Sequence, residues 1–106
     1  MNIFDLFIAH IAWGSSGKLR PVLIIGQQEE IMSVFNITTQ YEGKSEVVRS
    51  KYFLITDWKQ AGLDKPSYVD TNTVRDLPKA AWDGKTAIGK LTESDTQGLI
   101  EFLAKF

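Results

Sequence analysis

Over its first half the chain alternates short apolar runs with turn-forming residues, and the length of the runs is that of strands. Ile3, Phe4, Leu6, Phe7, Ile8, Ile11 and Ala12 make the first run, interrupted by Asp5 and His10. Gly14-Ser15-Ser16-Gly17 follows as a flexible loop. Val22-Leu23-Ile24-Ile25 is then continuous and rich in β-branched residues, the pattern of a strand covered on both faces. Residues 26–30 turn the chain, and 31–39 alternate as a third strand. Tyr41-Glu42-Gly43-Lys44 is a further turn, and 46–53 continue as strand with basic residues interleaved.

Beyond this point the pattern changes. Thr56-Asp57-Trp58-Lys59-Gln60-Ala61-Gly62 reads as a short helix, with Thr56 as N-cap and Gly62 as its stop. Residues 67–77 return to strand, Pro78 starts a helical turn through Ala80 and Ala81, and 85–91 are extended up to a helix cap. Thr92-Glu93-Ser94-Asp95 resembles a capping box. Leu99, Ile100, Leu103 and Phe106 then fall at helical spacing, which predicts a terminal helix over 93–105. Gly98 inside that helix costs about 1 kcal/mol against alanine, which points to close packing there. Several short strands, tight turns and one terminal helix predict a mainly β protein with a C-terminal helix, folded as a small, partly open barrel.

Composition narrows the class. A chain of 106 residues makes one domain, and 43% apolar with 24% charged residues is ordinary for a soluble globular protein. The absence of cysteine removes disulfides, thiolate chemistry and cysteine zinc sites, and fits a reducing cytoplasm. The apolar N-terminal run has no basic residues before it and is too short to span a bilayer, so it is read as a strand and no membrane role is expected. A net charge of −1 argues against a general polyanion binder. A local basic groove remains open, with Lys18, Arg20, Lys44, Arg49 and Lys51 to supply it.

The single histidine, with no acids at ligand spacing, argues against a metal site. No nucleophile elbow and no phosphate-cradling glycine loop is present. What remains is Lys18-Leu19-Arg20-Pro21 and Asn36-Ile37-Thr38-Thr39-Gln40. An arginine and a hydroxyl at adjacent strand ends suit a phosphodiester. The guanidinium grips phosphate in a two-point fork and stabilises developing charge, and the hydroxyl donates to the same oxygens. RNA brings its own nucleophile in the 2′-hydroxyl, so neither metal nor covalent side chain is required. Spacing alone favours the plainer reading, Arg20 in a surface ion pair and Thr38 as strand filler. A lone histidine in a strand, like His10, more often serves structure or solvent than proton transfer.

Taken in order, Lys18-Leu19-Arg20-Pro21-Val22-Leu23-Ile24-Ile25, Ile37-Thr38-Thr39-Gln40, Lys65-Pro66-Ser67-Tyr68-Val69, Thr73-Val74-Arg75 and Ile88-Gly89-Lys90-Leu91-Thr92 resemble the MazF/PemK family of toxin–antitoxin toxins across nearly the whole chain. The resemblance implies an SH3-like barrel, usually a homodimer. It implies cleavage of single-stranded RNA, often mRNA, without metal or cofactor, leaving a 2′,3′-cyclic phosphate. It implies inhibition by a cognate antitoxin whose acidic tail fills the RNA groove.

The resemblance makes Arg20 and Thr38 the catalytic pair and places Thr73 and Arg75 on RNA or the groove. Lys18 is a further substrate contact. Ser67 is either a groove hydroxyl or structural, and Arg75 either binds RNA or pairs with Asp70 or Asp76. Many relatives carry an acid shortly before Arg-Pro, where this chain has Gly14-Ser15-Ser16-Gly17, and another near the end of the first strand, where it has His10. His10 is a candidate for the proton-transfer role if its side chain faces the cleft, since an imidazole's unperturbed pKa of about 6.5 suits such a step. Trp13, beside the loop, is a candidate for stacking on an unpaired base, while Trp58 and Trp82 are read as packing or dimer contacts. Two other functions compete: a non-catalytic barrel that binds peptide or nucleic acid, and a CcdB-like toxin that binds DNA gyrase.

Overall fold

A computed structural model describes residues 1–13 and 16–106, with the side chains of Ala12, Trp13 and Ser16 outside the description. The chain forms β1 (Asp5–Trp13), β2 (Ser16–Gln28), β3 (Ile31–Thr38), α1 (Glu46–Arg49), β4 (Tyr52–Leu54), β5 (Tyr68–Pro78), α2 (Lys79–Trp82), β6 (Gly89–Lys90) and α3 (Glu93–Leu103). The six strands make one antiparallel sheet in the order β4-β5-β3-β2-β1-β6.

Both surfaces of this sheet carry a core, which is why Val22 to Ile25 read as unbroken apolar sequence. On the first surface Leu6, Leu23, Phe35, Ile37 and Val69 pack with Ile55, Ala61, Leu91 and with Leu99 of α3. On the second, Phe7, Ala9, Ile11, Val22, Ile24, Met32, Val34 and Leu77 pack together, flanked by Met1 and by Ala81 and Trp82 of α2. Ile11 of β1 and Leu77 of β5 lie three strands apart in the sheet yet share that second core. The sheet is therefore strongly curled, a half-barrel wrapped around its second core. Trp58 and Trp82 are packing residues, one at each core.

Two expected elements differ. The segment 46–53 is not a continuous strand. Its first half is the helical turn α1, because the Ser45 hydroxyl accepts the Val48 N–H at 3.2 Å and caps it. Only Tyr52, Phe53 and Leu54 pair with β5. Residues 56–62 form successive turns rather than a helix, although the Ala61 N–H does reach the Asp57 carbonyl at 3.1 Å. The Asp95 carboxylate, in α3, accepts the N–H groups of Thr56 at 3.1 Å and of Asp57 at 2.8 Å.

Thr92 caps α3 as expected, accepting the Asp95 N–H at 3.2 Å. The buried Asp95 carboxylate accepts from the 56–57 backbone instead of closing the box. Gly98 is tightly packed: a Cβ there would stand 3.1 Å from the Phe53 ring.

Candidate phosphodiester site at the β2–β3 seam

The paired seam of β2 and β3 runs from Gln28–Ile31 to Val22–Asn36 and ends there. Pro21, which has no N–H to donate, comes next. Arg20 lies two residues before Val22 and opposite Ala9 of β1; Thr38 lies two residues after Asn36 and opposite Tyr68 of β5. Residues directly opposite one another share a face of a sheet, as do residues two apart along a strand. Arg20, Val22, Asn36 and Thr38 thus project from one face, the face of the second core. Arg20 and Thr38 both lie at the end where the two strands part, and both are half-buried.

Thr38 keeps its proton available. Its Oγ1 accepts the Gln40 N–H at 3.0 Å, which uses a lone pair and leaves the hydroxyl proton to be given to an anionic oxygen. Lys18, two residues before Arg20 on the same face, is exposed. Asn36, between the core and Thr38, has its Oδ1 buried without a hydrogen-bond partner. Sequence reading passed over Asn36; the signal was a lone amide in an otherwise apolar strand interior.

The next polar group on this face comes from β5. Asp70 pairs with both Asn36 and Tyr52, so all three share the face. Burial, and then the Asp70 carboxylate, push the Tyr52 phenol above its ordinary pKa. Between Asp70 and Val74 the β3–β5 register jumps, looping out Thr71, Asn72 and Thr73. The Thr71 hydroxyl donates to the Lys51 carbonyl at 2.7 Å and the Asn72 amide to the Val48 carbonyl at 3.0 Å, which ties this bulge to α1 and β4.

The remaining sequence candidates fall in three places. His10, Thr73 and Arg75 line one cleft of about 460 Å³ with Asp76, floored by Ile11, Leu77 and Ala81. Arg75 lies opposite Val34, on the face of Arg20 and Thr38, with its Nε buried and without a hydrogen-bond partner. His10 lies opposite Leu19, on the other side of β1 from Ala9, and is exposed. A Cβ at Gly17 would stand 2.7 Å from the His10 ring, so the imidazole lies directly over that glycine. Neither Arg20 nor Thr38 lines this cleft.

Ser67 is buried and donates to the Lys65 carbonyl at 2.7 Å, at the edge of a second cleft of about 400 Å³ that also includes Pro21 and Thr39. The Trp13 side chain and the loop residues Gly14 and Ser15, on which base stacking and the absent acid were considered, lie outside the described residues. The basic residues divide: the Arg49 guanidinium lies over the Tyr41 ring at 5.3 Å, whereas Lys51 lies over Phe106 at 5.4 Å. Among the described residues no three of His, Asp and Glu converge as metal ligands.

A curled antiparallel half-barrel closed by a C-terminal helix is a MazF-like fold. Among solved structures the chain is similar to the Mycobacterium tuberculosis toxin MazF-mt6, with a TM-score of 0.71 and 23% identity, over 95% of this chain and 93% of that one. No protein-family model and no curated protein matches the sequence. Among the described residues no helix is long and apolar enough to cross a membrane.

Proposed function

We propose that the chain is a toxin endoribonuclease that cleaves single-stranded RNA, using the substrate's own 2′-hydroxyl as nucleophile and neither metal nor cofactor. One observation carries the reading: Arg20 and Thr38 project from the same face at the open end of the β2–β3 seam, with the Thr38 hydroxyl proton available. The likeness to a toxin of the MazF fold supports it.

The 2′-oxygen attacks the adjacent phosphorus, the bond to the 5′-oxygen breaks, and the products are a 2′,3′-cyclic phosphate and a 5′-hydroxyl. Arg20 grips the non-bridging oxygens and stabilises the charge that builds on them, aided by the Thr38 hydroxyl. Lys18, Thr73 and Arg75 hold flanking phosphates. The proton leaves the 2′-hydroxyl and another reaches the 5′-oxygen. His10 lies on the other side of β1 from Arg20 and is given no part in that transfer. A cognate antitoxin with an acidic segment inhibits by covering the same basic groups, the working unit is a homodimer, and the compartment is the cytoplasm.

The test is incubation of the purified protein with a long unstructured RNA in excess EDTA. Cleavage is expected to persist, to yield cyclic-phosphate ends, and to stop when the nucleotide at the cut carries 2′-deoxyribose. Arg20→Ala lowers the rate by about 10²–10³-fold, the loss typical when one charge-stabilising donor is removed. RNA left intact at high protein concentration rejects the enzyme in favour of a binding barrel.

A further inference from the structure

Beside Thr38 the same face of the sheet carries a cluster that the reaction above does not use. Tyr68 is the direct cross-strand partner of Thr38. The Tyr41 ring stacks on Tyr68, with centroids 4.8 Å apart and planes 24° apart. Tyr52 leans on both, 6.2 Å from Tyr41 and 6.0 Å from Tyr68. The Arg49 guanidinium lies over Tyr41 at 5.3 Å, and its Nε is buried without a hydrogen-bond partner. The stacked Tyr41–Tyr68 pair and the Arg49 guanidinium thus form one column, with Tyr52 tilted against its side, next to the Thr38 hydroxyl. Tyr41, Tyr68 and Arg49 each remain half-buried, not covered.

We infer that this column is a base-stacking platform, which holds one unpaired nucleobase next to the phosphate bound at Thr38. The inference rests on the nuclease reading and adds the part of the substrate that fixes its position. Unpaired bases bind by laying their π-faces on aromatic rings or on arginine planes, and both are present. Placement decides for a nucleobase over a second phosphate: a site built only for phosphate has no use for a stacked tyrosine pair behind its cation. The packing has local causes. Leu54 and Tyr68 pair across the β4–β5 seam, which fixes Tyr68. The turn after Tyr41, with Gly43 at a φ of +82°, brings Tyr41 back over Tyr68, and the Ser45-capped α1 delivers Arg49 onto Tyr41.

The probe is a single-stranded oligonucleotide with 2′-O-methyl groups throughout, which cannot be cut, carrying 2-aminopurine walked along successive positions. Stacking quenches this fluorophore, so binding is expected to quench it strongly in one register. Tyr41→Leu should weaken binding about 5- to 100-fold, the range for one stacked base, and abolish the quenching. Tyr41→Phe keeps the ring and should bind as wild type, which separates stacking from damage to the fold. Tyr41→Leu removes no charge, so its loss of affinity cannot be a loss of phosphate attraction. Arg49→Ala should weaken binding as well.

Wild-type protein that binds the probe, with Tyr41→Leu and Arg49→Ala binding equally well, overturns the platform and leaves the nuclease reading intact; the column would then be packing or a protein-docking surface. Equal weakening by Tyr41→Phe and Tyr41→Leu also overturns it. Wild-type protein that neither binds the probe nor cuts RNA rejects the nuclease reading itself.

Discussion

The two surfaces of the sheet are finished to different standards. On the α3 side the polar groups close on one another. Asp95, 3% exposed, accepts two backbone N–H groups from the 56–57 turn, Asp57 accepts the Thr92 hydroxyl at 2.8 Å, and Thr92 in turn caps Asp95. Two backbones also touch: a Cβ at Gly62 would stand 2.3 Å from the Ile88 carbonyl oxygen, and one at Gly89 would stand 2.1 Å from that of Ala61.

On the seam side matters are left open. The buried side-chain atoms that lack a hydrogen bond among the described residues are Asn36 Oδ1, Arg49 Nε, Arg75 Nε and Trp82 Nε1. Each belongs to the second core's face or packs against its neighbours. A buried polar group without a partner costs about 1–3 kcal/mol. A fold that closes one surface completely and leaves such groups on the other reads as a scaffold on one side and a binding face on the other.

The largest effect should come from breaking the scaffold where it is tightest. Gly62 combines a φ of +92° with a carbonyl oxygen where a Cβ would go. Gly62→Ala should cost roughly 3–4 kcal/mol, summed from the left-handed backbone and the forced separation of two segments. The measurement is urea unfolding. A loss under about 1 kcal/mol would mean that the 61–62 and 88–89 backbones can part freely, and the scaffold half of the comparison fails.

Asp95→Ala comes next. It strips the acceptor from two backbone N–H groups and should lower stability by about 2–3 kcal/mol. If this side is scaffold alone, the cleavage rate per folded molecule should not change. A variant that folds normally but cleaves slowly would show that the two surfaces are coupled.

How much of this was legible in the sequence follows the range of the forces involved. Strands that bury both faces announce themselves, and Val22 to Ile25 could hardly be anything else. The Thr92 cap is local and was readable. What anchors the 56–62 turns was not, since the carboxylate that takes their first two N–H groups comes from Asp95, 38 residues beyond Asp57. In 46–53 the Ser45 cap is local and could have been read, whereas the Asn72 contact to Val48 of α1 and the Thr71 contact to Lys51 come from β5.

At the site, Arg20 and Thr38 could be picked out by residue type and order. Their sharing a face is a matter of register, and register needs the structure. Asn36 and the three tyrosines are ordinary residues in sequence and become a group only across β3, β4 and β5.

A smaller change should have the opposite sign on the open surface. Asn36→Leu replaces a buried, unpartnered amide with an apolar side chain of similar size. Stability should rise by about 1 kcal/mol, read from the urea midpoint, while RNA cleavage falls. A destabilised Asn36→Leu protein would place Asn36 among the groups that hold the fold together and remove it from the binding face.

The last effect is the slightest and depends on pH. Burial, and then Asp70, raise the Tyr52 pKa above its ordinary value of 10.0, so the folded protein favours the neutral phenol. That contribution to stability is complete below the unfolded value and is lost as the pH climbs from there through the raised folded value. Wild type should therefore lose stability more steeply than Tyr52→Phe above pH 10, and the two should run parallel below it. Asp70→Asn should lessen the difference without abolishing it, because burial is the larger cause and remains. Curves for wild type and Tyr52→Phe that stay parallel through alkaline pH would mean that the phenol is open to water, and the face around Thr38 would then be wetter than its packing implies.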